Sequence, residues 1–244
     1  MRISGRKFLI TGAGRGLGAA LAHLMADAGV RLVLLARRED ALQAIAASIR
    51  GRTGQSVDTA PCDLADGADC IAVGARVARD HPDLDGVIHN GAMWLPGAME
   101  TVSDDDIQAC VSSAAIGAMI LTRHLLPNLK KRPDADIHVV VSTSGLPHLP
   151  LNGASVAFRA AKSAQSGFVD GLRDELADTS VRVSAVYPGD FDDISPLDPD
   201  WGKQRSAKER LTNKEVGEAI LFTLNLPMNA HVGVVFQERH IESQ

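Results

Sequence analysis

Seven short apolar runs recur along the chain, and longer helical segments separate most of them. Most of the runs are continuously apolar, which is typical of strands that are buried on both faces of a parallel sheet. The runs are KFLITG (7–12), VRLVLLA (30–36), SVDTAPCD (56–63), LDGVIHN (84–90), DIHVVVS (136–142), VRVSAVYP (181–188) and HVGVVF (231–236). Helices are predicted over about 17–28, 39–50, 67–80, 104–130 and 155–178.

This alternation predicts an α/β fold, a Rossmann-type doubly wound parallel sheet of about seven strands flanked by helices. In such a sheet, ligands bind beyond the carboxyl ends of the strands. No repeat or linker divides the 244 residues, so we expect a single dinucleotide-binding domain over 1–244. The segment 189–212 is rich in Asp, Pro and charge, and we predict a mobile substrate loop there.

Composition excludes several classes of protein. The net charge is −5 and there is no basic patch, which argues against nucleic acid as a partner. No stretch approaches the ~20 apolar residues of a membrane span, and no signal peptide is visible. The three cysteines are odd in number and lack metal-ligand spacing, so we expect reduced thiols and no metal site. These features predict a soluble, cytoplasmic protein.

A glycine-rich turn, TGAGRGLG (11–18), follows the first strand and opens the first helix. Glycines in this position give a tight turn and close backbone approach to a pyrophosphate, while the helix N-terminus offers free N–H groups. The context of strand before and helix after favours dinucleotide binding over an ordinary loop. The predicted cofactor contacts in the turn are Gly12, Gly14, Arg15, Gly16, Leu17 and Gly18.

The end of the second strand discriminates between the two nicotinamide cofactors. An NAD site usually has an Asp or Glu there, which bonds the 2′-hydroxyl of the ribose. This chain instead has Arg37 and Arg38, with Arg15 in the glycine turn. Guanidinium groups suit a 2′-phosphate, so NADP(H) is favoured over NAD(H). The alternative is that one of the two arginines simply ends the strand in solvent.

Taken together, the motifs resemble those of the short-chain dehydrogenase/reductases over essentially the full length. The glycine turn matches their Thr-Gly-x-x-x-Gly-x-Gly, and FRAAK (158–162) stands where they have Tyr-x-x-x-Lys. The resemblance implies hydride transfer between a nicotinamide and a carbonyl or alcohol. It also implies further cofactor contacts at Asp63, Leu64, Asn90, Gly91, Ala92, Pro188 and Gly189.

The family's catalytic roles carry over unevenly. Lys162 stands where the family lysine holds the ribose and lowers the pKa of the tyrosine, which is the acid/base. The resemblance places the serine that holds the substrate oxygen within STSG (142–145). Ser142, Thr143 and Ser144 all carry hydroxyls and the spacing does not settle which one points inward; we choose Thr143 or Ser144. The predicted catalytic positions are thus Thr143, Ser144, Phe158 and Lys162.

Two family residues are missing. The tyrosine aligns on Phe158, and the asparagine that supports a water-linked proton relay aligns on Ala114. A phenyl ring cannot transfer a proton, and general acid–base help is typically worth ~10²–10⁴-fold. Other donors are conceivable in His148 of the loop GLPHLPLNG, in Asp190 and, with less weight because it belongs to a strand, in Tyr187.

Two functions therefore compete. The first is an NADP(H)-dependent oxidoreductase acting on a small-molecule carbonyl or alcohol through a divergent site. The second is a catalytically weak or inactive NADP(H)-binding protein, a sensor or partner subunit. A lyase or isomerase without net redox change is a third, weaker alternative. The resemblance also implies a homodimer or homotetramer, formed through the long helices predicted near 104–130 and 155–178.

Overall fold

A computed structural model describes residues 1–203 and 209–237. Its seven strands form one parallel sheet in the order β3-β2-β1-β4-β5-β6-β7. The strands are β1 Lys7–Thr11, β2 Arg31–Ala36, β3 Asp58–Pro61, β4 Gly86–His89, β5 Ala135–Val140, β6 Val181–Pro188 and β7 Gly233–Phe236. The predicted doubly wound fold is confirmed, because chain order reverses at β1, with β2 on one side and β4 on the other.

Helices cover both faces of the sheet and bury a separate apolar cluster on each. They are α1 Gly16–Asp27, α2 Glu39–Thr53, α3 Gly67–Asp80, α4 Asp104–Val111, α5 Gly117–Leu129, α6 Val156–Glu175 and α7 Asn213–Asn225. All the predicted helices are present. The sequence reading assigned no helix to 213–225, although α7 starts with a capping box in which Thr212 and Glu215 bond each other's backbone. Residues 204–208 of the predicted substrate loop lie outside the described residues.

The long helix predicted over 104–130 is one continuous run with an irregular centre. Between α4 and α5 the chain forms a π-helical turn, Ser112–Ile116. Such turns interrupt the regular i→i−4 ladder and are frequent at functional sites. Ala114, the residue aligned with the missing asparagine, is in the middle of this turn.

The expectation that no stretch approaches the length and hydropathy of a membrane span is wrong for this helix. Within the described residues, Asp104–Leu129 is 26 residues long and its most apolar window has a mean hydropathy of 1.4. Half of that window is buried inside the protein, and the run packs against α3 and α6. A core helix that is packed between other helices meets the same criterion.

Candidate functional site

Two of the predicted motifs meet where the chain order reverses. The Thr11 hydroxyl at the end of β1 accepts hydrogen bonds from the backbone N–H groups of Asn90 (3.1 Å) and Gly91 (3.0 Å). The Asn90 amide donates to the Thr11 carbonyl at 3.1 Å. These bonds join the glycine turn to the residues after β4, at the crevice where open α/β sheets bind ligands.

The glycine turn has the close backbone packing that a dinucleotide site needs. A Cβ on Gly18 would lie 2.2 Å from the Gly12 carbonyl oxygen, so a side chain there would force the turn apart from α1. Gly12 itself has a φ of +68°, which favours glycine. Helix α1 has neither a side-chain cap nor an acidic residue in its first turn. Its first N–H groups therefore suit an anion, and the turn fits a pyrophosphate.

The two arginines after β2 have different surroundings. Arg38 bonds Asp40 through Nε at 3.1 Å and through Nη2, and this partner raises the pKa of Arg38 further. Arg37 is exposed and has no hydrogen-bond partner among the residues that the structure describes. Gly14 lies against Ala36 at the end of β2, and Arg15 is exposed. Of the pair, Arg37 is the one with an unengaged guanidinium.

The remaining predicted cofactor contacts lie at or just after the carboxyl ends of β3, β4 and β6. Asp63 closes a turn by accepting from the Ala65 N–H at 3.0 Å, and Leu64 packs so closely on Gly91 that a Cβ there would lie 2.3 Å from Leu64 Cδ1. Ala92 follows, half-buried. On the other side of the crevice, Pro188 ends β6, and the Gly189 N–H donates to the Phe236 carbonyl at 2.7 Å.

The hydroxyls of STSG differ in what they bond. Ser142 caps a short 3₁₀ turn, Thr143–Gly145, and its hydroxyl accepts from the Ser144 N–H at 3.1 Å. The hydroxyls of Thr143 and Ser144 have no hydrogen-bond partner among the described residues. The Ser142 hydroxyl only accepts in this bond and keeps its own O–H to donate, so all three hydroxyls remain candidates for holding a substrate oxygen.

Lys162 is buried at the end of the first two turns of α6. Its Nζ donates to the Val140 carbonyl at 3.1 Å and to Gln165 Oε1 at 2.8 Å. Burial lowers the pKa of Lys162 to about 7, while the nearby Cys110 thiol acts in the opposite direction. A solvated surface lysine would show none of this, so Lys162 belongs to the interior of the site.

Phe158 places an apolar ring at the position where the family has its tyrosine. Its buried ring lies with its centroid 5.6 Å from Lys162 Nζ and meets the edge of Trp94 at a centroid separation of 4.6 Å. Aromatic pairs at this distance and edge-to-face angle are stabilising. The ring is held in place beside the lysine, and it has no proton to give.

Gln165 joins Lys162 to the π-helical turn that contains Ala114. Its Nε2 donates to the Ala114 carbonyl at 2.7 Å, while its Oε1 accepts from Lys162. The carbonyl belongs to the π-helical turn, whose irregular bonding leaves it available. One side-chain amide therefore links the Lys162 ammonium group and the Ala114 carbonyl directly.

The three alternative proton donors lie in other settings. Tyr187 is buried in β6, as predicted, with its hydroxyl 3.2 Å from that of Ser166. His148 is exposed in its loop at a φ of +66°, and Asp190 is exposed after Gly189. Neither His148 nor Asp190 has a hydrogen-bond partner among the described residues that would aim it at Phe158.

Two residues of this site were not identified from the sequence. Gln165 is three residues after Lys162, a helical spacing that places both on one face, and it is polar within an Ala-rich stretch. That spacing could have indicated the contact. Trp94 lies in an apolar stretch, 93–99, and its ring reaches Phe158 through tertiary folding alone.

Comparison with known proteins identifies the family of this chain. The family model described as short chain dehydrogenase matches residues 6–205. An uncharacterized oxidoreductase of Staphylococcus saprophyticus is 26% identical over 93% of this chain and 94% of its own length. The NADP-dependent 3-hydroxy acid dehydrogenase of Schizosaccharomyces pombe is 31% identical over 91% of this chain and 88% of its own length.

A solved structure extends the likeness to the fold. It is an alcohol dehydrogenase from the archaeon Thermococcus sibiricus, complexed with 5-hydroxy-NADP, and it superposes with a TM-score of 0.82. The superposition covers 98% of this chain and 99% of that one at 23% identity, so it speaks for the fold alone. Together with the family match over residues 6–205, these findings show that the chain belongs to the short-chain dehydrogenase family of oxidoreductases.

Proposed function

We propose that this protein is a slow NADP(H)-dependent oxidoreductase that acts on a small carbonyl or alcohol substrate. The observation that carries the proposal is the buried Lys162, which bonds the last carbonyl of β5 at the same carboxyl edge of the sheet as the glycine turn after β1. Family membership supports the reaction class, and the NADP-dependent relative supports the cofactor. The reaction is slow because Phe158 cannot donate a proton.

In this proposal some residues of the chain bind the cofactor and others orient the substrate. A bound nicotinamide cofactor supplies or accepts the hydride. The glycine turn and the start of α1 hold its phosphates, and Lys162 places an ammonium group beside its ribose. Thr143 or Ser144 holds the substrate oxygen. The Trp94 ring packs edge-to-face on Phe158, and the two rings would form an apolar wall on that side of the pocket.

Isotope transfer tests this function independently of its rate. The natural protein is incubated with NADPH deuterated at C4 and a panel of ketones and aldehydes, and the products are examined by mass spectrometry. We expect deuterium in the alcohol product of at least one substrate. Absence of transfer from both the natural chain and a Phe158→Tyr variant, with NADPH still bound, would overturn the oxidoreductase function.

A second candidate function is favoured by Gln165. Its amide bridges Lys162 and the Ala114 carbonyl. In this second proposal the bridge blocks the replacement of a proton from solvent. A protein with this arrangement holds NADP(H) as a sensor or partner subunit and turns nothing over. Deuterium transfer by the natural chain excludes this candidate, whereas transfer only after Phe158→Tyr favours it.

The cofactor preference leads to a matched pair of variants. Arg37→Ala removes a guanidinium that has no partner among the described residues, while Arg38→Ala removes one already bonded to Asp40. We expect Arg37→Ala to lower the ratio of NADPH to NADH affinity about tenfold, the worth of one charge-assisted phosphate contact. Arg38→Ala should change it much less. Equal effects in titrations followed by nicotinamide fluorescence would contradict the assignment.

The protonation of Lys162 predicts a pH dependence of binding. Its pKa of about 7 means that the ammonium form is lost as pH rises through neutrality. A bound anionic cofactor favours the ammonium form, so we expect the Kd for NADPH to rise about fivefold between about pH 6 and pH 8. Lys162→Met keeps the buried volume and removes the titration. The same pH slope in that variant would assign the effect to another group.

We also propose a cytoplasmic location and a homodimeric or homotetrameric assembly. Cys62, Cys70 and Cys110 are buried and unpaired, which supports a reducing compartment. Ile116, the last residue of the π-helical turn, and Met119 of α5 are exposed. Their exposure supports packing of this part of the long helix against a second copy. Light scattering on the purified protein tests the assembly.

A further inference from the structure

The carboxylate of Asp193 lies against the glycine turn of the candidate cofactor site. If Gly16 carried a Cβ, that atom would stand 2.6 Å from Asp193 Oδ2 and 3.0 Å from Oδ1. Desolvation raises the pKa of Asp193, while the Arg15 guanidinium and the Leu17 N–H act against this rise. An acidic side chain is therefore placed where α1 presents its first N–H groups.

The backbone that presents Asp193 is fixed to the start of α7. Asp192 donates from its N–H to the Leu211 carbonyl at 2.8 Å, and its own carbonyl accepts from the Asn213 N–H at 3.0 Å. The Asn213 side chain bonds the Ile194 carbonyl at 2.8 Å but reaches Asp193 Oδ1 only at 3.4 Å. The carboxylate can therefore leave the turn by rotation of one side chain while the loop backbone stays attached.

Helix α1 supplies no anion of its own to its N-terminus, since its first turn lacks Asp and Glu and Arg15 forms no side-chain cap. A carboxylate and a phosphate compete for such a position because both are stabilised by the same N–H groups and dipole. We propose that Asp193 is an internal competitor of the cofactor's pyrophosphate and thereby sets the affinity of the site. The inference rests on the proposed binding of NADP(H).

The competition has two consequences for the bound state. The pyrophosphate has to displace Asp193 from the turn, and the displaced carboxylate stays close enough to repel it. Both effects weaken binding, and both disappear when the charge is removed. Asp193→Asn keeps an oxygen that can accept from Leu17 N–H, whereas Asp193→Ala removes the acceptor as well.

Calorimetric titration with NADP⁺ tests the proposal. We expect Asp193→Asn to bind about tenfold more tightly than the natural chain, as for one repulsion between nearby charges in partly screened surroundings. Asp193→Ala should bind at least as tightly as Asp193→Asn. The matched control is Asp192→Asn, which removes the same charge from a carboxylate that faces Arg210 at 2.9 Å, away from the turn.

Each outcome decides the proposal. If Asp192→Asn gains as much affinity for NADP⁺ as Asp193→Asn, the effect comes from net charge alone, and the claim that Asp193 acts by its position at the turn is overturned. If the natural chain binds NADP⁺ and Asp193→Asn binds no better, the inference fails and the proposed function stands. If the natural chain and all variants fail to bind, both fail. Thermal unfolding checks the fold of each variant, and Asp193→Ser replaces any that is destabilised.

Discussion

A Phe158→Tyr variant will reduce carbonyl substrates about 10²–10⁴ times faster than the natural chain, the usual worth of a positioned general acid. The ring that would carry the new hydroxyl is already held beside Lys162, at 5.6 Å from Nζ to its centroid, and against the edge of Trp94. The ammonium group would lower the pKa of the new phenol. The gain should appear in kcat for NADPH oxidation, with little change in the Kd for NADPH.

The matched control is Phe158→Leu, which changes the same buried side chain and supplies no hydroxyl. It should be no faster than the natural chain. If Phe158→Tyr and Phe158→Leu have equal kcat on a substrate that accepts deuterium from NADPH, protonation at this position does not limit the reaction. The proton would then come from a group other than the side chain at position 158.

We expect Gln165 to limit the increase in kcat that Phe158→Tyr produces. Its amide engages both Lys162 and the Ala114 carbonyl, so a new tyrosine would donate its proton without a ready path for replacement. Gln165→Val opens room for a water between these two groups. We expect this change to do little alone and to add about another tenfold in kcat to Phe158→Tyr, as a proton-relay effect of ordinary size.

Most of the fold could be predicted from the sequence because its signals are local. Continuous apolar runs give buried strands, and the turn TGAGRGLG combines a strand end, close packing and a helix start within eight residues. Family motifs then identified Lys162 and Phe158. Helix α7 was missed because it follows the charged loop, although its capping box Thr212–Glu215 was readable.

The tertiary contacts of this site could not be predicted in the same way. The hydrogen bond from Gln165 to the Ala114 carbonyl joins α6 to the π-helical turn, and no local sequence pattern predicted that turn. Asp193 reaches the glycine turn only because the loop after β6 folds back onto α1. Contacts of this kind depend on tertiary packing, and neither periodicity nor motif spacing predicts tertiary packing.

Asp136→Ala will destabilise the protein more than any change at a surface ion pair. Asp136, fully buried in β5, bonds Arg2 (2.7 Å), Arg6 (2.8 Å) and Arg182 (2.8 Å). Removing the carboxylate leaves three guanidinium groups close together, of which that of Arg182 is nearly fully buried. Breaking a buried pair in this way costs about 3–5 kcal/mol in the free energy of unfolding, because the remaining charge is uncompensated.

Asp83→Ala is the matched control, since Asp83 also bonds two cations, Lys7 at 2.8 Å and Arg31 at 2.9 Å, but in a half-exposed setting. Its loss should cost about 1 kcal/mol or less, because solvent screens the exposed pair and hydrates the cations left behind. Urea unfolding of both variants measures the difference. If the two variants lose the same free energy of unfolding, about 1 kcal/mol or less, water reaches the Arg182 guanidinium once Asp136 is gone. Burial would then not be the reason why Asp136 stabilises the protein.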